Sequence, residues 1–157
     1  MERLKIYDIL YNENLCQIKL TIKNNNFLAS LFERLGKREI KIKFFAFHQC
    51  LNEILQLTFC IKKSDLKTIQ KILTEIPLEE KDIHIDPRVG MVAIYGPHFV
   101  EKPGIIDMMH SAVSSQGINI LAISTTVSTS FFIIHSSDVV QAVSCLNEMF
   151  EIPKGKV

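Results

Sequence analysis

Tryptophan is absent from this 157-residue sequence, and glycine and proline are scarce, with six and five residues. These low contents exclude collagen-like and low-complexity chains. Basic and acidic residues nearly balance, since 18 basic and 17 acidic residues leave a net charge of +1. Such a balance argues against proteins that bind nucleic acid through bulk positive charge. With 47% apolar residues, the chain can bury a substantial core.

The four cysteines lack the spacing of a metal site or a redox motif. Cys16, Cys50, Cys60 and Cys145 contain no Cys-x-x-Cys pair, and the sequence has no phosphate-binding glycine loop, serine-nucleophile motif or paired-acid motif. The N-terminus also lacks the apolar core of a signal peptide. We therefore expect a cytoplasmic protein with free thiols and with no catalytic residues, cofactor or metal site.

A long uninterrupted apolar run is also missing. Residues 108–137 contain no Asp, Glu, Lys or Arg, but polar residues interrupt every apolar run within them. A membrane helix needs about 20 mostly apolar residues in succession. The stretch is typical of a buried or paired part of a folded protein, so no membrane contact is expected.

The sequence does contain a regular order of strands and helices. In the first half, alternation and helical spacing of apolar residues predict six elements. They are strand 14–22, a helix from Asn26 to about Gly36, strands 40–48 and 53–61, a helix that begins at Ser64-Asp65, and strand 83–85. This order is βαββαβ.

The second half repeats most of this order. Strand 89–96, a helix after Pro103-Gly104, strands 118–125 and 130–135 and a helix after residue 138 are predicted. This second copy lacks a fourth strand, whereas residues 4–11 form a surplus strand before the first copy. We therefore expect the N-terminal strand to pair with strand 89–96 and complete the second copy.

A family resemblance rests on motifs of the second copy. They are Val92-Ala93-Ile94-Tyr95-Gly96, Pro103-Gly104, Gly117-Ile118-Asn119-Ile120 and Ile123-Ser124-Thr125. In order and spacing they resemble an ACT domain, and more narrowly the second ACT domain in the regulatory region of aspartate kinases. The resemblance covers nearly the whole chain and does not include the catalytic domain of those kinases.

The resemblance implies an α+β fold of two ferredoxin-like βαββαβ ACT units. The first would comprise residues 12–87 and the second residues 88–157, with strand 3–11 added to the second. It also implies an allosteric module that binds an amino-acid effector between two ACT units, without enzyme activity of its own.

The effector site implied by the resemblance combines a glycine turn, the free N–H groups of the next helix and an Asn at the next strand. In the second copy these residues are Phe99, Val100, Gly104, Ile105, Asn119 and Ile120, and in the first copy they are Asn24, Asn25, Asn26 and Leu28. The same residues also fit a plain helix start, a polar residue on a sheet edge and a capping turn.

The first copy departs from the family pattern. It has Asn25-Asn26 in place of Pro-Gly, and Lys41 and Lys43 in place of an Asn and a carboxylate. Lysines beside the site would oppose a cationic effector and tolerate an acidic one; alternatively, they protect an edge strand. We expect that this site has lost or changed its ligand.

Two functions remain open from the sequence. One is an amino-acid-binding regulator of a biosynthetic enzyme, and the other is a ligand-free oligomerisation module that assembles a partner enzyme. RNA-binding modules share the βαββαβ order, but the central strands here lack a basic, glycine-rich aromatic run, so no nucleic-acid partner is expected.

Charge and strand composition both suggest assembly. Residues 1–78 carry a net charge of +5 and residues 79–157 a net charge of −4, which favours contact between unlike halves of two chains. Strand 118–125 has no charged residue, and uncharged edge strands tend to pair. We expect a homodimer or pairing with a catalytic subunit.

Overall fold

The structure is a computed structural model that describes residues 3–23, 26–79, 82–96 and 102–153. Its strands and helices are β1 (Leu4–Lys5), β2 (Asp8–Ile22), α1 (Asn26–Lys37), β3 (Phe44–Gln49), β4 (Leu55–Lys62), α2 (Leu66–Thr74), β5 (Ile83–Tyr95), α3 (Ile105–Ser114), β6 (Ile120–Thr125), β7 (Thr129–His135), α4 (Val139–Met149) and β8 (Phe150–Glu151).

The chain forms two compact units. The first unit comprises residues 14–88, and the second comprises residues 3–13 together with residues 89–153. β2 and β5 each supply residues to both units. For each of these strands the sequence predicts two shorter ones, 4–11 and 14–22 in place of β2, and 83–85 and 89–96 in place of β5. The polar residues there interrupt the apolar pattern, but their backbone groups can still pair, so each strand continues.

In the first unit, the strand order is β3–β4–β2–β5. β2 lies antiparallel to β4, from the pair Leu15–Lys62 to the pair Ile22–Leu55. The apolar stripes of α1 and α2 pack on the core, where a fully buried aliphatic side chain contributes roughly 2 kcal/mol. The buried helix residues are Phe27, Leu31, Leu35, Ile69, Ile72 and Leu73.

β3 begins four residues later than the sequence predicts. The segment before it closes the end of α1: Glu39 has a φ of 56°, and the N–H of Ile40 donates to the carbonyl of Leu35 at 3.0 Å. This left-handed turn satisfies a helix carbonyl and keeps residues 39–42 out of the sheet, whereas the N–H of Lys43 donates to the carbonyl of Cys60 in β4 at 2.8 Å. Lys41 and Lys43 therefore precede the strand, and β3 itself contains no Asp, Glu, Lys or Arg.

In the second unit, the strand order is β2–β5–β7–β6. β5 and β6 are both antiparallel to β7 and hence parallel to each other. The helices α3 and α4 supply the apolar layer over the sheet. Their buried residues are Ile105, Met109, Ala112, Val113, Val139, Ala142 and Leu146.

The N-terminal segment lies in the second unit, where residues 8–13 of β2 belong and β2 neighbours β5 in the sheet, whereas β1 pairs elsewhere. β1 pairs in parallel with β8, which forms although the sequence predicts no strand after the last helix. Ahead of β2, the N–H of Tyr7 also donates a hydrogen bond to the carbonyl of Tyr95 in β5, at 2.7 Å. Ile6 is 2% exposed and belongs to the core of this unit. The two-residue β8 needs β1 as its partner, which explains why the local sequence does not reveal it.

β6 contains a β-bulge. Ile120 pairs with Ile134 and Ala122 pairs with Ile133, so Leu121 is the additional residue. Ile133 and Ile134 point to opposite faces of the sheet, and the bulge therefore places Ile120 and Ala122 on opposite faces as well. Simple alternation along the sequence predicts that these two residues share a face.

The predicted α+β fold is confirmed, with antiparallel strands and helices in the order βαββαβ in the first unit. Among the residues that the structure describes, no helix combines the length and the apolar composition needed to cross a membrane.

Candidate functional site

The turn at Pro103-Gly104 leads into α3 in an unusual backbone conformation. Gly104 has a φ of 89°, a left-handed value that favours glycine, and its carbonyl accepts the first helical hydrogen bond from the N–H of Met108 at 2.9 Å. A Cβ added to Gly104 would have no other atom within 4 Å. Backbone conformation therefore accounts for this glycine, and the space beside the turn is open among the described residues.

The residues that flank this turn differ in accessibility. Ile105 is 4% exposed, and its side chain belongs to the core, so it cannot contribute more than its backbone to a ligand. Phe99 and Val100, which the sequence assigns to the same site, lie outside the described residues.

Asn119 stands at the start of β6. Gly117, with a φ of 73°, follows the end of α3, and Asn119 is exposed while Ile118 before it is buried. Ile120 packs partly against the core. The amide of Asn119 is therefore accessible as a donor and acceptor, whereas the two isoleucines serve mainly to hold it in place.

Gly104 and Asn119 lie at opposite ends of the sheet of the second unit. Through β7, Ile120 is in register with Gly90, near the start of the β5 segment of this unit, whereas the Gly104 turn follows the end of β5 at Tyr95. Five residues of extended strand span about 17 Å. One copy of this unit therefore does not combine the two residues in a single pocket.

The corresponding residues of the first unit are similarly separated. Asn26 is exposed at the start of α1, beyond the Ile22 end of β2, and Leu28 packs partly against the core. Lys41 and Lys43 precede β3 and so lie toward the opposite end of that sheet. Asn24 and Asn25 lie outside the described residues.

A pair of tyrosines marks the Gly104 end of the second unit and was missed in the sequence. The rings of Tyr7 and Tyr95 have centroids 5.1 Å apart at an angle of 51°, and both side chains are exposed, by 55% and 40%. Tyr7 lies outside both sequence copies, so repeat alignment gives no reason to select it. Once the N-terminal segment is placed, the pair offers an aromatic surface at this end of the sheet.

The thiols show the largest pKa shifts. Burial raises the pKa of Cys16 to about 11 and that of Cys60 to about 12. These groups remain protonated and unreactive at neutral pH, and both side chains are buried in the core. Within the described ranges, no three His, Cys, Asp or Glu side chains are placed to hold a metal ion.

Comparison of the sequence with known families supports the ACT assignment. Residues 84–148 match the family model described as ACT domain. The chain is 26% identical over 129 residues to aspartokinase 2 of Bacillus subtilis, an alignment that covers 81% of this chain and 31% of that protein. The chain thus spans about a third of the length of the curated relatives that it matches. The predicted ACT domain and the relationship to aspartate kinases are confirmed.

Solved structures extend the likeness to the whole fold. The ligand-free regulatory subunit of aspartate kinase from Thermus thermophilus superposes with a TM-score of 0.78 at 24% identity, covering 93% of this chain and 99% of that one. Aspartate kinase from Synechocystis gives a TM-score of 0.82 at 18% identity, covering 96% of this chain and 28% of that one. Because both sequence identities are below 25%, these superpositions establish a shared fold only.

Proposed function

We propose that this chain is the regulatory part of an aspartate kinase, or a separate regulatory subunit for one, and that it binds a free amino acid. The supporting observation is that nearly the entire chain, and not the ACT match alone, corresponds to nearly the entire length of an aspartate kinase regulatory subunit. It acts in the cytoplasm, where reducing conditions keep its four free thiols from forming disulfides.

The effector site in this proposal is formed by two chains. β6 is the terminal strand of the second unit and contains no charged residue. If β6 pairs antiparallel with β6 of a second copy, Asn119 at the start of one strand lies beside Thr125 at the end of the other. Thr125 and Tyr95 occupy the same end of the sheet, since both pair with the first residues of β7. β5 ends there at Tyr95, and the chain then continues to the Gly104 turn.

This two-chain arrangement brings Gly104 of one copy to the same end of the sheet as Asn119 of the other copy. The amino acid binds with its carboxylate at the free N–H groups that begin α3 and with a hydrogen bond to Asn119 of the other copy. Because both chains hold the ligand, its binding favours one relative arrangement of the two copies. Regulation then follows as a shift between two arrangements with different affinities for the ligand.

A thermal-shift screen of the twenty amino acids against the full chain tests this function. A ligand at 100 times its Kd should stabilise the protein by about 2.7 kcal/mol. Asn119→Ala should abolish that stabilisation without changing the far-UV spectrum. Gly104→Asn should do the same, because Asn tolerates a positive φ but fills the open space with a side chain. If no amino acid raises the melting temperature, the effector-binding function is wrong.

A ligand-free assembly module is the second candidate. It is favoured by the composition of the terminal strands β3 and β6, neither of which carries Asp, Glu, Lys or Arg. The same screen separates the two functions, because an assembly module forms the dimer with no amino acid changing its stability.

A further inference from the structure

The second unit contains a groove of about 280 Å³ between its two helices, α3 and α4. Among its lining residues are Met108, Ala112, Gln116, Cys145, Glu148 and Met149. None of these residues belongs to the effector site proposed above. The groove is therefore a separate feature of this unit, on its helical side.

Four lining residues give the groove an apolar surface. Ala112 is 6% exposed, whereas Met108, Cys145 and Met149 are half-buried and pack partly against the core. Methionine side chains are flexible and polarizable, so they adapt to apolar groups of different shape. An apolar side chain of another molecule can therefore be buried here.

The helices of the two units can be compared directly, because their buried residues have the same spacing. In α1 and α3 these residues are Phe27, Leu31 and Leu35, and Ile105, Met109 and Val113. In α2 and α4 they are Ile69 and Leu73, and Ala142 and Leu146. The same spacing matches Arg34, Arg38 and Glu75 of the first unit with Ala112, Gln116 and Glu148 of the second.

In the first unit, two ion pairs bridge the helices at this position. The carboxylate of Glu75 accepts hydrogen bonds from the guanidinium groups of Arg34 and Arg38, each at 2.7 Å. The first unit thus satisfies this carboxylate with arginines of its own chain.

In the second unit, the matching carboxylate lacks such partners. Ala112 and Gln116 carry no charge, and among the residues that the structure describes Glu148 forms no ion pair. Arg3 also lines the groove, but its guanidinium donates to the backbone carbonyls of Asn147 and Glu148, at 3.2 and 3.5 Å. The exposed Glu148 carboxylate therefore remains accessible beside an apolar surface.

We propose that this groove binds a helical segment of a partner protein that supplies an arginine to Glu148 and an apolar side chain to Met108 and Met149. The arginine reproduces, between two proteins, the contact that Arg34 makes with Glu75 within the first unit. A guanidinium pairs with a carboxylate through two parallel hydrogen bonds, so arginine is favoured over lysine.

Arg3 does not prevent this contact, because Glu75 shows that one carboxylate at this position can hold two guanidinium groups. The docking surface lies outside the proposed effector site and does not depend on the proposed effector function.

The experiment begins with a random peptide library displayed on phage and selected on the full chain, after removal of the phage that bind the Glu148→Gln variant. We expect the retained peptides to contain an arginine and a leucine, methionine or phenylalanine three or four positions apart, the spacing that places two side chains on one helix face. Replacing that arginine by citrulline, which keeps the shape without the charge, should raise the Kd at least about fivefold.

A second variant tests the comparison between the units. Gln116→Arg places a guanidinium where Arg38 stands in the first unit, at an exposed position that tolerates the larger side chain. It should pair with Glu148 and raise the Kd of a retained peptide at least about fivefold. Asp107→Asn is the matched control, because Asp107 is an exposed acid of α3 that does not line the groove, and it should leave the Kd unchanged.

Binding is located by the amide NMR signals of the full 15N-labelled chain, which should shift at Ala112, Cys145 and Met149. Retained peptides without arginine, or equal affinity of the arginine and citrulline peptides, would overturn the proposal. Signals that shift only outside the groove would do the same. If the selection retains no peptide, Glu148 recognises no partner segment and the proposal is wrong. None of these outcomes bears on the effector function, which the amino-acid screen decides separately.

Discussion

At the scale of single residues, Gly90 shows how closely the second unit is packed. A Cβ on Gly90 would overlap Cγ2 of Val139 and lie 2.8 Å from the carbonyl oxygen of Asn12. A side chain can rotate away from such a contact, but a backbone oxygen in a strand cannot. Gly90 is thus required by the close approach of β2 and α4, whereas Gly104 and Gly117 are favoured by their positive φ values.

Gly90→Ala should therefore destabilise the protein. Overpacking of this kind costs about 2 kcal/mol, measured as a fall in the free energy of urea unfolding. Gly36→Ala is the matched control, since Gly36 lies in α1 with no atom within 4 Å of an added Cβ. The control should be neutral or stabilise by up to about 1 kcal/mol. Equal effects of the two substitutions would contradict the packing argument.

The buried thiols predict a loss of stability in alkali. Burial raises the pKa of Cys16 to about 11 and that of Cys60 to about 12, well above the ordinary range of a cysteine thiol. The unfolded state therefore releases its thiol protons first. The stabilisation is complete below pH 9 and is lost as the pH rises toward the folded values.

The free energy of unfolding, measured between pH 8 and pH 10.5, should accordingly fall more steeply for the parent than for the Cys16→Ala/Cys60→Ala variant. Cys50→Ala is the control, because Cys50 is only half-buried, and it should follow the parent. Parallel pH curves for the parent and the double variant would show that the thiols do not contribute.

At the scale of elements, both terminal strands keep exposed apolar side chains, including Phe47 of β3 and Ile123 of β6, but among the described residues only β3 has a ring contact with a helix. In β3, the ring of Phe45 lies 5.4 Å from that of Phe32 in α1, so it is partly covered within the unit. In β6, Ile123 is 43% exposed. The bulge at Leu121 leaves the rest of β6 in regular register with β7, so this part remains able to pair with another strand.

We therefore expect Ile123→Lys to dissociate the proposed dimer. A lysine buried at the strand contact would lack a partner for its charge, which should raise the dimer Kd roughly tenfold or more. Sedimentation at micromolar concentration measures the change. Phe47→Lys in β3, at a side chain that is 41% exposed, is the control and should leave the dimer intact. The opposite outcome would identify β3 as the interface.

At the scale of the whole molecule, the chain builds its second unit from both ends of the sequence. Ile6 is buried in the core of that unit, and its N–H donates to the carbonyl of Glu151 at 2.9 Å. The guanidinium of Arg3 donates to the carbonyl of Asn147 at the end of α4, at 3.2 Å. The N-terminal residues therefore stabilise elements more than 140 positions away in the sequence.

Removal of residues 1–7 should weaken the second unit selectively. The loss of the buried Ile6 alone corresponds to about 2 kcal/mol. Amide hydrogen exchange should accelerate in β7 and α4 while β4 and α2 keep their protection. Lys5→Ala, a change at an exposed neighbour, is the control and should leave both units unchanged. Faster exchange in β4 and α2 would contradict the assignment of this segment.

The sequence by itself determined the α+β class, the order of the helices and of most strands, the apolar stripes of the helices and the assignment of the N-terminal segment to the second unit. These features depend on local periodicity and on comparing one half of the chain with the other, and both are readable without coordinates. The position of Gly104 at a helix start was readable for the same reason.

Only the tertiary structure decided which residues come together. The continuity of β2 and β5, the bulge at Leu121 and the separation of Gly104 from Asn119 all depend on strand register. Register is fixed by pairing between residues far apart in the sequence, and one inserted residue reverses every face that follows it.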